Sequence, residues 1–279
     1  MRKNLREEIH RNLREIRVRA FDILPALTQR FREQASHRHP EMVRDEYDRF
    51  WDRAWASGEY LRTDGVILKY DRPLADYSAL DFKKDVVVAS LRRYIEEHGI
   101  ASVLEIGSGA GMNLIYLAQL LPEVRFVGLE PTSSGVRLGR EFAREIPKEL
   151  RLGDSTGPLS NVEFIQGSIL DADAVESLEG ERFDLVFTAA VLEQMHNEIE
   201  TAFAHIFRLA TRYFYFFEEW LEANSRLEHY AYLVHHDYFR LSWRYLSERG
   251  DLEILDRTIP AIQPGQVQYG VVFGRRATT

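Results

Sequence analysis

The stretch Val103-Leu104-Glu105-Ile106-Gly107-Ser108-Gly109-Ala110-Gly111 decides how this chain is read. β-favouring residues run into an acid and three glycines, and a helical pattern follows from Met112 to Leu121. A strand feeding a glycine turn and a helix is the start of a nucleotide-binding βαβ unit. The spacing is G-x-G-x-G rather than the dinucleotide G-x-G-x-x-G, and Met112 stands where that fingerprint needs a small residue. Bare backbone at Gly107, Gly109 and Gly111 is expected to let a ligand lie directly against the turn. Glu105 would repel a pyrophosphate and attract the cationic end of an amino acid.

Outward from this turn, strands and helices alternate. Strands are predicted near 102–106, 125–130, 162–166, 183–189 and 212–217, with helices near 81–98, 112–121, 134–146, 171–178 and 197–210. Alternation at this spacing predicts a doubly wound α/β fold with a mostly parallel sheet. Two β-rich runs, 251–259 and 267–274, joined by Pro264-Gly265, predict an antiparallel pair that closes a seven-stranded sheet with its last strand reversed. Residues 71–76 read as a turn-rich connector, 147–161 as a loop, and 218–250 as a mostly helical excursion. Residues 1–80 are expected to form a helical N-terminal extension or lid on a core of 81–279. Within it, Leu5, Ile9, Leu13, Ile16 and Phe21 stand near helical spacing among alternating charges.

The run Glu105–Gly111 resembles the first motif of the class I, Rossmann-like S-adenosylmethionine (SAM)-dependent methyltransferases, and the resemblance covers roughly residues 81–275. It implies SAM as cofactor and a reversed strand at the sheet edge. The residues expected to hold SAM are Glu105, Gly107, Ser108, Gly109, Gly111 and Asn113 in and after the turn. Glu130, at the end of the second strand, would accept the ribose hydroxyls through its two oxygens, with Pro131 and Thr132 beneath the adenosine. The loop with Ser168 and Ile169 would hold adenine, although the family more often carries Asp at the place of Ser168. Ala189 is small enough to let the cofactor approach the fourth strand. No Asn/Asp-Pro-Pro-aromatic tetrapeptide follows that strand, which argues against the branches that methylate nucleic-acid adenine or protein glutamine.

For a hydroxyl acceptor a general base is useful, and His196, just past the fourth strand, is the candidate. The resemblance suggests an acid after the fifth strand to orient it, Glu218 or Glu219. His235 belongs to the polar-aromatic stretch 229–240, expected near the substrate mouth, and is a further candidate. The aromatics Tyr47, Trp51 and Tyr60 are candidates for the opposite wall.

Composition narrows the alternatives. The chain has 279 residues, no cysteine and a net charge of −8, so thiolate nucleophiles and Cys-ligated zinc are excluded. The negative charge argues against nucleic acid as partner, despite eleven Lys/Arg against seven Asp/Glu in residues 1–45. No apolar run approaches a bilayer span, so no membrane partner and a cytoplasmic location are expected. No metal is expected. The reading is methyl transfer to oxygen or nitrogen of a small-molecule acceptor, with a homodimer left open. The competing readings are an inactive SAM-binding subunit that activates a partner, and an NAD-dependent oxidoreductase or epimerase.

Overall fold

The computed structural model describes residues 40–61, 67–69 and 72–277, apart from 155, 156, 196, 237, 239 and 266. The helix expected on Leu5 to Phe21 lies outside the described residues. Helix α1, Pro40–Ala56, opens on a proline, whose fixed φ suits a first helical turn. Strands β1, Ile67–Lys69, and β2, Arg72–Pro73, pair antiparallel. Helix α2, Ala79–Phe82, begins with a reciprocal cap: Asp81 N–H donates to Ser78 Oγ, and Ser78 N–H to the Asp81 carboxylate. A π-helical turn over Lys83–Val88 leads into α3, Ala89–His98, which Gly99 ends in the left-handed region at φ 56°.

The main alternation follows: β3 Ser102–Ile106, α4 Met112–Leu120, β4 Arg125–Glu130, α5 Ser133–Arg144, β5 Val162–Gln166, α6 Ala172–Glu179, β6 Phe183–Ala189, α7 Ile199–Leu209 and β7 Ala210–Glu218. Helices α8, Leu227–His236, and α9, Arg244–Ser247, precede β8 Leu252–Thr258, β9 Ile262–Pro264 and β10 Gly270–Arg276. The seven-stranded sheet has the order β5-β4-β3-β6-β7-β10-β8. Strands β3 to β7 are parallel, and β10 runs antiparallel to both its neighbours. This is the expected α/β class with its last strand reversed.

Three details differ from the sequence reading. The reversed strand is not at the edge, because β8 lies outside it. Val271, Val272 and Phe273 of β10 are at most 2% exposed, whereas β8 has only Leu252 buried and alternates half-buried with exposed residues as far as Arg257. The uniformly apolar strand takes the place with two neighbours, and the alternating one takes the edge. The 71–76 connector also contains β2, which joins β1 and β9 in a small sheet of order β2-β1-β9. Pro73 is tolerated there because β2 is an edge. Between 218 and 250, helix is confined to 227–236 and 244–247.

Side chains alternate across a strand, and this decides where Glu105 points. Leu104 and Ile106 join the core that α6 and α7 cover. Val103 joins the opposite core, built with Val86, Val87, Leu91, Leu114 and Leu117. Glu105 shares the face of Val103. It is therefore turned toward the π-helical turn and α4, in a place where an acid is buried.

Candidate active site

A cavity of about 890 Å³ runs along the carboxyl ends of the parallel strands. That is where open α/β sheets bind ligands. Its floor contains Glu105, Gly107, Ser108 and Asn113; its side contains Glu130, Pro131, Thr132, Ser168, Ile169 and Ala189. The structure thus brings ten of the twelve residues expected to hold a cofactor to one cavity. The other two, Gly109 and Gly111, are packed against protein.

All three glycines of the turn have positive φ, between 55° and 75°, which explains the residue type at once. The room expected for a ligand is used otherwise. A Cβ at Gly111 would meet the Phe164 ring at 2.3 Å, one at Gly109 the Trp51 ring at 2.3 Å, and one at Gly107 Val191 at 2.7 Å. The missing side chains let three protein side chains close on the turn. What faces the cavity is the polar set beside it.

That set is held firmly. Asn113 Nδ2 donates to Glu105 Oε1 at 2.7 Å. Gly109 N–H donates to Glu130 Oε2 at 2.8 Å, and Thr132 N–H to Glu130 Oε1 at 3.0 Å. Thr132 Oγ1 donates to Oε1 as well, so what remains for a ribose is the second lone pair of Oε2. Burial raises the Glu105 carboxyl above the usual range, opposed by Asn113 and by the ammonium of Lys83 on the π-helical turn. Burial likewise raises Glu130. Ser168 Oγ accepts Leu170 N–H at 3.1 Å, so that hydroxyl shapes its loop.

The expected catalytic set is only partly visible. His196 lies outside the described residues, and so does the side chain of His235. Glu218 and Glu219 are both fully buried. Glu218 accepts Val191 N–H and Leu192 N–H at 3.1–3.2 Å, and so anchors the loop after β6 rather than facing a ligand. That loop starts at Ala190, a non-glycine at φ 59°. Tyr47, Trp51 and Tyr60 do line the cavity.

Among the lining residues that the sequence reading did not single out are Lys83, Glu193 and Tyr269. Glu193 sits two residues beyond Val191 on the loop after β6, a place where its position alone was a usable signal. Lys83 is brought in by a π-turn, which no spacing announces. Tyr269 is held by Gln263, whose Nε2 donates to Tyr269 O at 2.8 Å and whose Oε1 accepts Tyr269 N–H at 2.8 Å. Among the described residues no group of acids and histidines is arranged to hold a metal ion, and no helix is long and apolar enough to cross a membrane.

Comparison with known proteins agrees with this geometry. Residues 103–212 match the family model described as "Methyltransferase domain". No curated protein sequence matches the chain. Among solved structures, the fold is similar to an O-methyltransferase family protein from Burkholderia thailandensis, at 14% identity and TM-score 0.57, covering 95% of this chain and 71% of that one. It is similar to the [4+2]-cyclase SpnF at 15% identity and TM-score 0.56, covering 85% and 96%. It is also similar to the plantazolicin methyltransferase BpumL, solved with S-adenosylhomocysteine, at 13% identity and TM-score 0.51, covering 96% and 99%. At these identities the neighbours speak for the fold; the motif and the family model speak for the chemistry. Residues 103–212 thus resemble the methyltransferase domain family, set in the fold that these neighbours share.

Proposed function

We propose that the chain transfers a methyl group from SAM to an oxygen or nitrogen of a small metabolite, with α1, the described helix of the 1–80 extension, as a lid on the 81–279 core. The observation that carries this reading is a set of unsatisfied atoms on the cavity floor. Glu105 Oε2, Ser108 Oγ and Asn113 Oδ1 are buried and have no hydrogen-bond partner. Buried polar groups are normally paired, so the floor awaits donors and acceptors from a ligand. Glu105 and Asn113 would take an ammonium, Ser108 would donate or accept, and Glu130 would meet hydroxyls. These residues fit an amino acid joined to a nucleoside.

Bound there, SAM supplies a methyl group on a sulfonium. The protein's part is to fix that group and to seal the cavity against water. Trp51 and Tyr60, with rings parallel within 7° and 6.4 Å apart, supply apolar cover. Glu193 and Tyr269 form the remaining wall.

Calorimetry tests the reading. S-adenosylhomocysteine should bind and NAD(H) should not. Glu105→Gln removes a charged hydrogen bond of about 1.5–3 kcal/mol and should weaken S-adenosylhomocysteine by about 10- to 100-fold. Binding of NAD(H) instead, or an unchanged affinity in the variant, would reverse the assignment of this floor.

A further inference from the structure

The cavity also meets a second group of acids, which the cofactor reading does not use. Glu193 lines it and is only 5% exposed. Glu219 is fully buried against Glu193 and Tyr269, whose side chains are the hydrogen-bonding groups beside its carboxyl. Burial and the neighbouring carboxylates of Glu193 and Glu218 push Glu219 well above the usual range. Glu218 differs from both, being committed to the backbone of the 190–192 loop.

Two buried acids side by side are costly, several kcal/mol if both are ionised, unless a ligand brings positive charge or N–H groups. The rest of the wall favours the same visitor. Tyr47, Trp51, Tyr60 and Tyr269 also line the cavity, and aromatic rings attract cations. The described cations that line it are Lys83, which stands against Glu105, and Arg44 on α1.

We infer that the methyl acceptor is an amine, received as a cation at the wall formed by Glu193 with Glu219 behind it and the aromatic side chains around it. An anionic acceptor would be repelled there, and a hydroxyl would bring a single donor to two carboxyl groups. The inference rests on the proposed reading of this cavity as the site of methyl transfer. The entering ammonium gives one proton to the carboxylate pair. The freed nitrogen lone pair then forms the N–CH₃ bond while the donor's C–S bond breaks onto sulfur, and the product leaves as a methylated ammonium.

The test uses the full chain, tritiated-methyl SAM, and a metabolite mixture with amines, alcohols and carboxylates in equal amounts. The wild type should label a product that is retained on a cation exchanger at pH 7 and is stable to mild alkali. Glu193→Gln and Glu219→Gln should each lower that transfer at least tenfold, with S-adenosylhomocysteine affinity within twofold of wild type. Glu193→Asp should restore part of it, which a purely structural acid would not require. A neutral or anionic labelled product, unchanged transfer in both variants, or no labelled product from a wild type that binds S-adenosylhomocysteine overturns the inference. Failure of the wild type to bind S-adenosylhomocysteine instead overturns the cofactor reading. Where a variant does not fold, the charge of the wild-type product decides alone.

Discussion

The glycines of the turn show how one residue type serves two ends. Gly111 caps α4 at φ 75°, and Phe164 fills the space where a Cβ would stand. Gly153 has a similar φ of 66° but nothing within 4 Å. Gly111→Ala should therefore carry both the left-handed strain, about 1–2 kcal/mol, and an overpacking term of about 1–3 kcal/mol. Gly153→Ala should carry the strain alone. Denaturant titration of the two variants separates these terms; equal losses would mean that Phe164 moves aside freely. At this scale the sequence was informative wherever a residue type is forced by backbone or charge, as for Gly107, Gly109, Gly111 and Glu105. It was silent where a neighbour distant in sequence decides the role. Nothing in the local sequence said that Trp51 would cover Gly109, or that Glu218 would be used up by the Val191 and Leu192 amides.

At the scale of elements, α1 is tied to the core by its contact with α5. Ser134 N–H donates to Asp48 Oδ1 at 2.8 Å, Ser133 Oγ donates to the same carboxylate, and Ser134 Oγ donates to Asp48 O at 2.6 Å. An acid at a helix N-terminus also meets the positive end of the helix dipole. The Ser134 backbone N–H is the main reason the Asp48 carboxyl sits below the usual range. Arg137 of α5 reaches Asp52, and the Trp55 ring lies 4.5 Å from that of Phe142. These contacts hold Tyr47, Phe50 and Trp51 on the cavity. Asp48→Ala removes a cap of about 0.5–2 kcal/mol. It should raise the dissociation rate of S-adenosylhomocysteine by roughly 2- to 30-fold, measured by stopped-flow, with little change in the melting temperature of the core. An unchanged rate would mean that α1 does not gate the cavity. The helix itself was legible from Tyr47, Phe50, Trp51 and Trp55, because their spacing is helical. Its docking partner was not, since Asp48 and Ser134 lie 86 residues apart. The π-turn and the three-stranded sheet were hidden for a similar reason: one is an insertion without a signature, and the other pairs strands of two or three residues.

At the scale of the whole molecule, the parallel sheet was legible because most of its strands are apolar runs bounded by turns and alternate with helices; α4, between β3 and β4, is buried nearly all round. The place of β10 was not, because strand order depends on which of two β-rich runs can be buried on both edges. The same burial that shaped the sheet has a consequence for pH. Glu105, Glu130, Glu218 and Glu219 are all enclosed, and burial raises each of them, Glu218 to about 8. In the unfolded chain these acids ionise near pH 4.5. A raised folded value therefore contributes stability in full below pH 4.5 and loses it as pH climbs through the folded value. Asp48 and Asp81 act oppositely, but their contribution changes only below about pH 4. The ligand-free chain should thus lose stability between about pH 5 and 8. Even one unit of net shift is about 1.4 kcal/mol, so the melting temperature should drop by at least a few degrees over that range. Global repulsion at net charge −8 acts in the same direction, and Glu219→Gln separates the two. The variant keeps nearly the same overall charge but removes one acid that must be kept neutral, so its melting temperature should fall less steeply and exceed the wild type's at pH 8. Calorimetric scans at pH 5, 6.5 and 8 measure this directly. A wild-type curve that is flat or rises with pH would show that these acids are ionised in the folded chain, with donors to match.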